Sequence, residues 1–283
     1  MEEEEFKSER LDVYVSRQFP DKSRAFAAKL IEKGSVKVNG KEQLKPSYKL
    51  KEKDKVEADY DEAEVLSVPK IDLEVLYEDD DCVVINKPVG ILTHSKGEFN
   101  PEATVATWLA PKVAGMSGDR AGIVHRLDRA TSGVMIAAKT PEALSWLQKQ
   151  FSQRKTKKTY EAVVVGHLKQ PEALIDMPIE RNPKKPQTFR VGSNGKPAVT
   201  AYKVIEEGEK FSLVELKPTT GRTHQLRVHL EQLGHPILGD TFYGAPTADR
   251  LFLHAKSLEL TLLNRERKTF TVPTPKQFKE QIK

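Results

Sequence analysis

The run GIVHRLDRATSG, residues 122–133, sets one carboxylate, Asp128, between Arg126 and Arg129, with His125 just before them. Apolar segments, AGIV and GVMIAAK, bracket these charges. A solvated charge run has few apolar neighbours, and Arg–Asp alternation is often salt-bridge decoration that adds little stability. The flanks point instead to a chain entering and leaving a core strand or turn, with the acid at the rim of a packed sheet. A lone ionised carboxylate there can stabilise a developing cation, add covalently to a carbon centre or remove a proton. It supplies only half of the carboxyl pair that glycoside hydrolysis commonly uses.

A second set of chemical groups lies in TTGRTHQLRVHLEQLGHPILGD, residues 219–240. Thr219 or Thr220 can cap a helix, Gly221 permits a sharp entry and Gly234 ends it. On such a helix Arg222, Leu226, Leu230 and Leu233 share a face at spacings of four and three. An amphipathic helix whose arginine ends in solvent fits the same pattern. His224 and His229, five positions apart, stand roughly 140° round that helix and cannot chelate one ion from it, so no metal is assigned.

The elements that must position these groups read as α+β. DLEVLYEDDDCVVINKPVGILTHS predicts a strand, an acidic turn, a buried strand and a turn at Lys87–Pro88 to Gly90, and PEATVATWLAPKV predicts a helix. A strand over 134–139 precedes the helix PEALSWLQKQF, opened by Thr140 and Pro141. KTYEAVVVGHL is a strand with Tyr160 near its start. FRVGSNGKPAVTAYKVIEEGEKFSLVELKP predicts three more strands, joined as a meander by turns at Asn194-Gly195 and Gly208. The expectation is a large, mostly antiparallel mixed sheet flanked by helices. Ahead of it, residues 8–58 read as a small ααβ module: two short helices, the second capped by Asp21 or Ser23 and stopped at Gly34, then a hairpin turning at Asn39-Gly40.

Composition narrows the class. The chain has 283 residues, 38% of them hydrophobic, enough for a large core and a small one. Nothing approaches a membrane-spanning apolar run, and the start MEEEEFKSER is acidic, unlike a signal or transit peptide, so a cytoplasmic protein is expected. The single cysteine, Cys82, sits in CVVIN as a small buried hydrophobe, which leaves no disulfide framework and no cysteine zinc site. The net charge is only +5, but it is unevenly spread. Residues 8–58 hold 13 Lys and Arg against 8 Asp and Glu, between acidic segments at MEEEE and DYDEAE. Further basic clusters fall at RKTKK (154–158) and at ERNPKKPQTFR (180–190). Each alone could be a solvated face; together they suit a polyanion, because phosphates are bound by summed Lys and Arg contacts.

The segments RLDVYV, SRAFAAKLIEKGSVKVNGK and PSYKL resemble the S4-type RNA-binding fold across residues 8–58. That resemblance implies an RNA-facing surface carrying Arg10, Ser23, Arg24 and Lys29. In the rest of the chain NKPVGILTH, GIVHRLDRATSG, KTYEAVVVG, TGRTHQLRVHL and HPILGD resemble, in order, the motifs of the RluA-type pseudouridine synthases, which isomerise uridine in RNA to its C-glycoside. Domains at 1–58 and 67–283, joined by an acidic linker at 59–66, follow. Carried over residue by residue, the resemblance implies that Asp128 is catalytic, Tyr160 stacks on the target base, Arg222 pairs with Asp128, Leu226 lines the pocket and Arg126 fills the gap left by the extruded base. It implies a structured RNA partner, ribosomal RNA rather than transfer RNA, and a monomer away from membranes. Isomerisation involves no redox change or phosphate transfer, so no cofactor is expected. A protein that keeps the pocket only to grip RNA, such as a ribosome-assembly factor, would carry the same basic surface.

Overall fold

The computed structural model describes residues 8–19, 23–60, 68–95, 102–118 and 120–283. The chain divides into two compact units, the first formed mainly by residues up to Lys70 and the second by 71–94 and 103–283. Residues 61–66 of the expected linker lie outside the described residues.

In the N-terminal unit α1 (Leu11–Gln18) and α2 (Arg24–Glu32) pack Leu11, Val15, Phe26, Ala27, Leu30 and Ile31 against Val36 and Val38 of β1 (Val36–Val38). Ser23 caps α2 by accepting from Phe26 N–H at 3.3 Å, while the alternative cap, Asp21, lies outside the described residues. β1 turns through Asn39 and Gly40, both at positive φ (54° and 74°), into β2 (Lys41–Glu42), and on its other side it pairs with β3 (Val56–Ala58).

The larger unit is built on a nine-stranded sheet. Its strands are β4 (Glu74–Glu78), β5 (Cys82–Lys87), β6 (Ser132–Ala138), β7 (Lys157–Val165), β8 (Glu172–Asp176), β11 (Val199–Glu207), β12 (Phe211–Pro218), β13 (Leu253–Thr261) and β14 (Arg267–Thr271). They run in the order β4-β5-β6-β13-β7-β12-β11-β8, with β14 on β13, and every pairing is antiparallel except β6–β13. Both faces of β5 and β6 are covered, which is why these strands read as unbroken apolar runs. Cys82, Val84, Val134, Ile136 and Ala138 meet Ala143 and Leu147 of α4 (Pro141–Ser152), while Val83, Ile85, Met135 and Ala137 meet Val105 and Leu109 of α3 (Val105–Leu109).

Two expectations need correction. The meander does not include the segment at 189–191: β10 (Phe189–Val191) pairs with β9 (Ile179–Arg181) in a separate two-stranded ribbon, because residues 192–198 turn back onto Ile179. The helix expected from Thr219 or Thr220 begins only at Gln225, as α5 (Gln225–Gln232). His224 takes a left-handed conformation (φ 56°), and the Gln225 side chain occupies the preceding turn, accepting from Arg222 N–H and Thr220 Oγ1 and donating to Val199 O. A last short helix, α6 (Lys276–Glu280), buries Phe278 beside Phe252.

At the parallel seam Gly133 (φ 117°) lies opposite Ala255, and an added Cβ would stand 2.2 Å from Ala255 O. Gly133→Ala should therefore destabilise the protein by about 2–4 kcal/mol, through backbone strain and overpacking together. Urea unfolding of the two proteins checks this.

Candidate active site

Asp128 sits in the loop between the bridge Ile123–Ala137 and β6. Its own carbonyl closes a turn by accepting from Thr131 N–H at 3.0 Å. The segment after β5 braces this loop from beneath. Thr93 Oγ1 donates to Leu127 O (2.8 Å) and accepts from Leu127 N–H (3.1 Å), and Gly90 N–H donates to Arg129 O (2.8 Å). Lys87, wholly buried, donates through Nζ to Pro88 O (3.0 Å), Ile91 O (2.8 Å) and Arg129 O (3.5 Å). Burial lowers the Lys87 pKa to about 7, against an opposing pull from Asp128. The sequence NKPVGILTH is thus a brace as well as a turn.

The guanidinium facing Asp128 belongs to Arg227. Its Nη1 stands 3.6 Å from Asp128 Oδ2, and His224 Nε2 stands 3.8 Å from the same oxygen. The other edge of Arg227 forms a fork on Asp240, with Nε donating at 2.6 Å and Nη2 at 2.7 Å. The Arg227 plane lies over Tyr243, 5.0 Å from the ring centre. Burial opposes its charge, but the hydrogen bonds to Asp240 and the fields of Asp240 and Asp128 raise its pKa overall. His224 shares a 2.8 Å hydrogen bond between Nδ1 and the Tyr243 hydroxyl, which also accepts from Phe189 N–H. Burial lowers the His224 pKa despite the nearby Asp128.

Arg222 does not pair with Asp128. It lies in the loop before α5, and its Nε donates to Pro197 O at 3.0 Å. The four-residue spacing that aligned Arg222 with Leu226 holds only on a helix, and the left-handed turn at His224 leaves Arg222 outside the helix that carries Leu226. Arg222 still lines the pocket, together with Arg126, Asp128, Lys158, Tyr160 and Leu226. Leu226 is buried in the core beneath, Tyr160 on β7 is half-buried, and Arg126 stays exposed at the rim. Burial, with Asp128 adding to it, raises the Tyr160 phenol well above its ordinary pKa, so it stays protonated.

Several further side chains escaped sequence reasoning. Lys158 lies two residues before Tyr160, a spacing that puts both on one face of a strand. Its Nζ donates to Thr220 O at 3.0 Å, and burial lowers its pKa to about 8. Arg227 follows Leu226 directly, and its place was hidden by the misread helix start. Asp240 ends the motif HPILGD, but nothing local pairs it with Arg227, and Tyr243 had no local signal. His125 faces away from the acid: its ring stacks on Phe151 at 4.6 Å and its Nε2 accepts from Ile136 N–H, so it is neutral.

In the N-terminal unit Arg10 and Arg24 converge on the buried carboxylate of Asp12. Arg10 binds both oxygens, at 3.0 and 2.8 Å, and Arg24 binds Oδ2 through Nε and Nη2 at 3.1 and 2.9 Å. The Arg10 hydrogen bond leads the lowering of the Asp12 pKa to about 2. Lys29 pairs loosely with Glu32, at 3.7 Å. Both arginines keep about half of their side chains exposed, 44% and 55%, so a structural tie leaves their outer edges open to solvent.

Residues 81–232 match the RNA pseudouridylate synthase family, and residues 9–56 match the S4 domain. The chain belongs to the RNA pseudouridylate synthase family. It is 42% identical over 248 residues to an uncharacterised RNA pseudouridine synthase of Aquifex aeolicus, covering 85% of this chain and 78% of that one. It is 39% identical over 241 residues to ribosomal large subunit pseudouridine synthase D of Escherichia coli K12, covering 83% and 73%. Among solved structures, human RNA pseudouridylate synthase domain containing 1 superposes with a TM-score of 0.61 at 31% identity, over 72% of this chain and 84% of that one. The enzyme is thus an RNA pseudouridine synthase, an isomerase that acts on uridine in RNA.

Replacing Arg227 by Ala should cut turnover by orders of magnitude and cost about 3–5 kcal/mol of stability, because Asp240 is left buried without its partner. Arg222→Ala should lower turnover far less; single-turnover rates and thermal unfolding of the two variants separate the roles. The Lys158 ammonium should lose its proton as pH rises through about 8, so RNA affinity falls between pH 7 and 9. Lys158→Arg should abolish that step in filter-binding titrations. Between pH 8 and 10.5 the unfolded chain holds a proton that the folded Lys158 has lost, so this group's contribution makes stability rise with pH.

Proposed function

We propose that Asp128 is the catalytic carboxylate and that the substrate is a uridine of large-subunit ribosomal RNA. The observation that carries the first half is the position of Asp128. It is the carboxylate lining the pocket, it stands within 3.8 Å of both Arg227 and His224, and it shares the pocket with the ring of Tyr160.

The reaction breaks the bond from N1 of uracil to C1′ of ribose and forms a bond from C5 to the same C1′. N1 ends protonated and C5 gives up its proton, so atoms and electrons balance without a second substrate. An ionised carboxylate beside C1′ can stabilise the oxocarbenium character of the transition state, add to C1′, or take a proton from the sugar. The uridine must leave its stack to reach this acid. Extrusion costs a few kcal/mol, and stacking on Tyr160 offsets about 1–3 kcal/mol of that. Arg126, exposed at the rim, is suited to occupy the space that the base vacates. Tyr160 and Leu226 hold the ring flat while the freed uracil turns from N1 to C5.

The ribosomal assignment is supported by relatives named for the large ribosomal subunit and by the S4 domain, which we assign to affinity rather than chemistry. On this reading Arg10, Arg24 and Lys29 present charge to RNA, and Ser23 serves them by capping α2. The pocket itself sees only a flipped uridine, so site choice comes from the surrounding RNA fold.

Asp128→Asn should abolish tritium release from C5-labelled uridine RNA while leaving folding and RNA affinity within about twofold. Full activity in that variant would overturn the assignment of the acid. No release by the wild-type enzyme from any RNA would favour a protein that only grips RNA. Carbodiimide mapping of ribosomal and transfer RNA treated with the enzyme decides the substrate, and modification confined to transfer RNA would overturn the ribosomal half.

A further inference from the structure

A second cleft opens on the catalytic unit, outside the pocket of Asp128, between the C-terminal half of α4, the turn into β7 and the β13–β14 hairpin. Trp146, Lys149, Lys155, Arg265 and Arg267 line it. The Arg265 guanidinium lies 3.9 Å from the centre of the Trp146 ring, a stacking distance. The ring beneath is anchored: its Nε1 donates to Thr261 O at 2.8 Å, and Gln150 Oε1 accepts from Thr261 N–H at 2.9 Å. Arg265 occupies the hairpin turn at φ 73° and is exposed. Arg267 ties the hairpin to the neighbouring turn, with Nη2 donating to Lys155 O at 3.2 Å. The result is a braced platform topped by a guanidinium plane.

Its charge is only partly compensated. Glu259 takes Arg267 at 2.7 Å and Lys157 at 3.1 Å. Among the described residues, Lys149, Lys155 and Arg265 have no carboxylate within 4.0 Å. A guanidinium–indole stack beside unpaired ammonium groups matches the alternation of base and phosphate in a single RNA strand. Bases stack on arginine planes and aromatic rings, and phosphates collect lysines.

The cleft is a chain neighbour of the uridine pocket's outer recess: Lys155 lines the cleft, and the residue before it, Arg154, lines the recess. Arg154, Lys157, Lys158 and Lys217 line a further groove, which shares Arg154 and Lys158 with the recess that holds Arg126 and Tyr160. Lys155 stands three residues from Lys158, about 10 Å of extended chain. The basic run 154–158 therefore borders both the recess and the cleft.

We propose that the cleft binds the RNA strand flanking the target uridine, with one base stacked on Arg265 over Trp146 and phosphates on Lys149 and Lys155. The inference rests on the Asp128 reading only for where that strand starts.

The test is filter binding of Asp128→Asn protein to large-subunit ribosomal RNA transcribed in vitro, from 50 to 200 mM salt. Adding Lys155→Glu and Arg265→Glu should weaken binding about tenfold and lower the salt slope by about 2. Lys155→Gln with Arg265→Gln, which remove only charge, should give the same effect at smaller size. A control pair, Lys169→Glu in the β7–β8 loop with Lys203→Glu on β11, makes the same charge change at exposed sites and should weaken binding less than threefold. Equal losses in the two glutamate pairs, or none in either, would overturn the cleft. Tritium release by the wild-type enzyme reports separately on the Asp128 reading, because the binding assay needs no turnover.

Discussion

A buried guanidinium must be neutralised, and Arg227 is neutralised from two sides by acids with different tasks. Asp240 takes the fork and fixes the plane; Asp128 faces the remaining nitrogen at 3.6 Å, and on the proposed reading its other lone pairs serve the substrate. Leaving such a charge without its partner costs about 3–5 kcal/mol, so the geometry is enforced by the stability of the fold itself. Three separate segments are drawn together by this requirement: the Asp128 loop, helix α5 and the turn at Asp240. Tyr243 seals the cluster, lying under the guanidinium while its hydroxyl holds His224.

The sheet supplies the rigid ground on which that cluster stands. Strand β6 delivers the Asp128 loop, β7 delivers Lys158 and Tyr160, and β13 pairs with both. Parallel pairing at β6–β13 requires Gly133 at the seam, where any side chain would strike the opposite carbonyl. Beneath the loop, Lys87 brings three carbonyl groups onto one buried ammonium, and Thr93 holds Leu127 by two hydrogen bonds. On the proposed role of Asp128, a carboxylate placed this way would need little reorganisation as charge develops on the sugar, which is the electrostatic advantage of a built site over water.

Charge outside the pocket follows the same logic of division. Near the acid, Lys87, Lys158 and Arg227 are largely buried and hydrogen-bonded, and their pKa values move accordingly. Farther out, along the start of β7 and the β13–β14 hairpin, they are exposed and only partly compensated, as suits contacts with a phosphate backbone that must be made and released. In the N-terminal unit one buried carboxylate, Asp12, orients two arginines while leaving their outer edges in solvent.

Much of this was legible in the sequence because it rests on local rules. Apolar runs marked β5 and β6, Thr140 and Pro141 marked the start of α4, Asn39-Gly40 marked a hairpin, and the bracketed charges around Asp128 marked the rim of a sheet. The sequence marked Asp128, Arg126, Tyr160 and Leu226, which share one pocket, but not Lys158, Arg227 or Tyr243 beside them. The partner of Asp128 was decided only in three dimensions. The Gln225 side chain fills the turn that a longer helix would have used, His224 bends the backbone, and Arg227 rather than Arg222 comes to face the acid. The strand at 189–191 left the expected meander for the same kind of reason, since its partner β9 was set by a turn onto Ile179 and not by its own pattern. Propensity and periodicity describe neighbours along a chain. Which guanidinium reaches a carboxylate about 100 residues away depends on where a helix starts, and the Gln225 side chain, hydrogen-bonded to a distant strand, decided that.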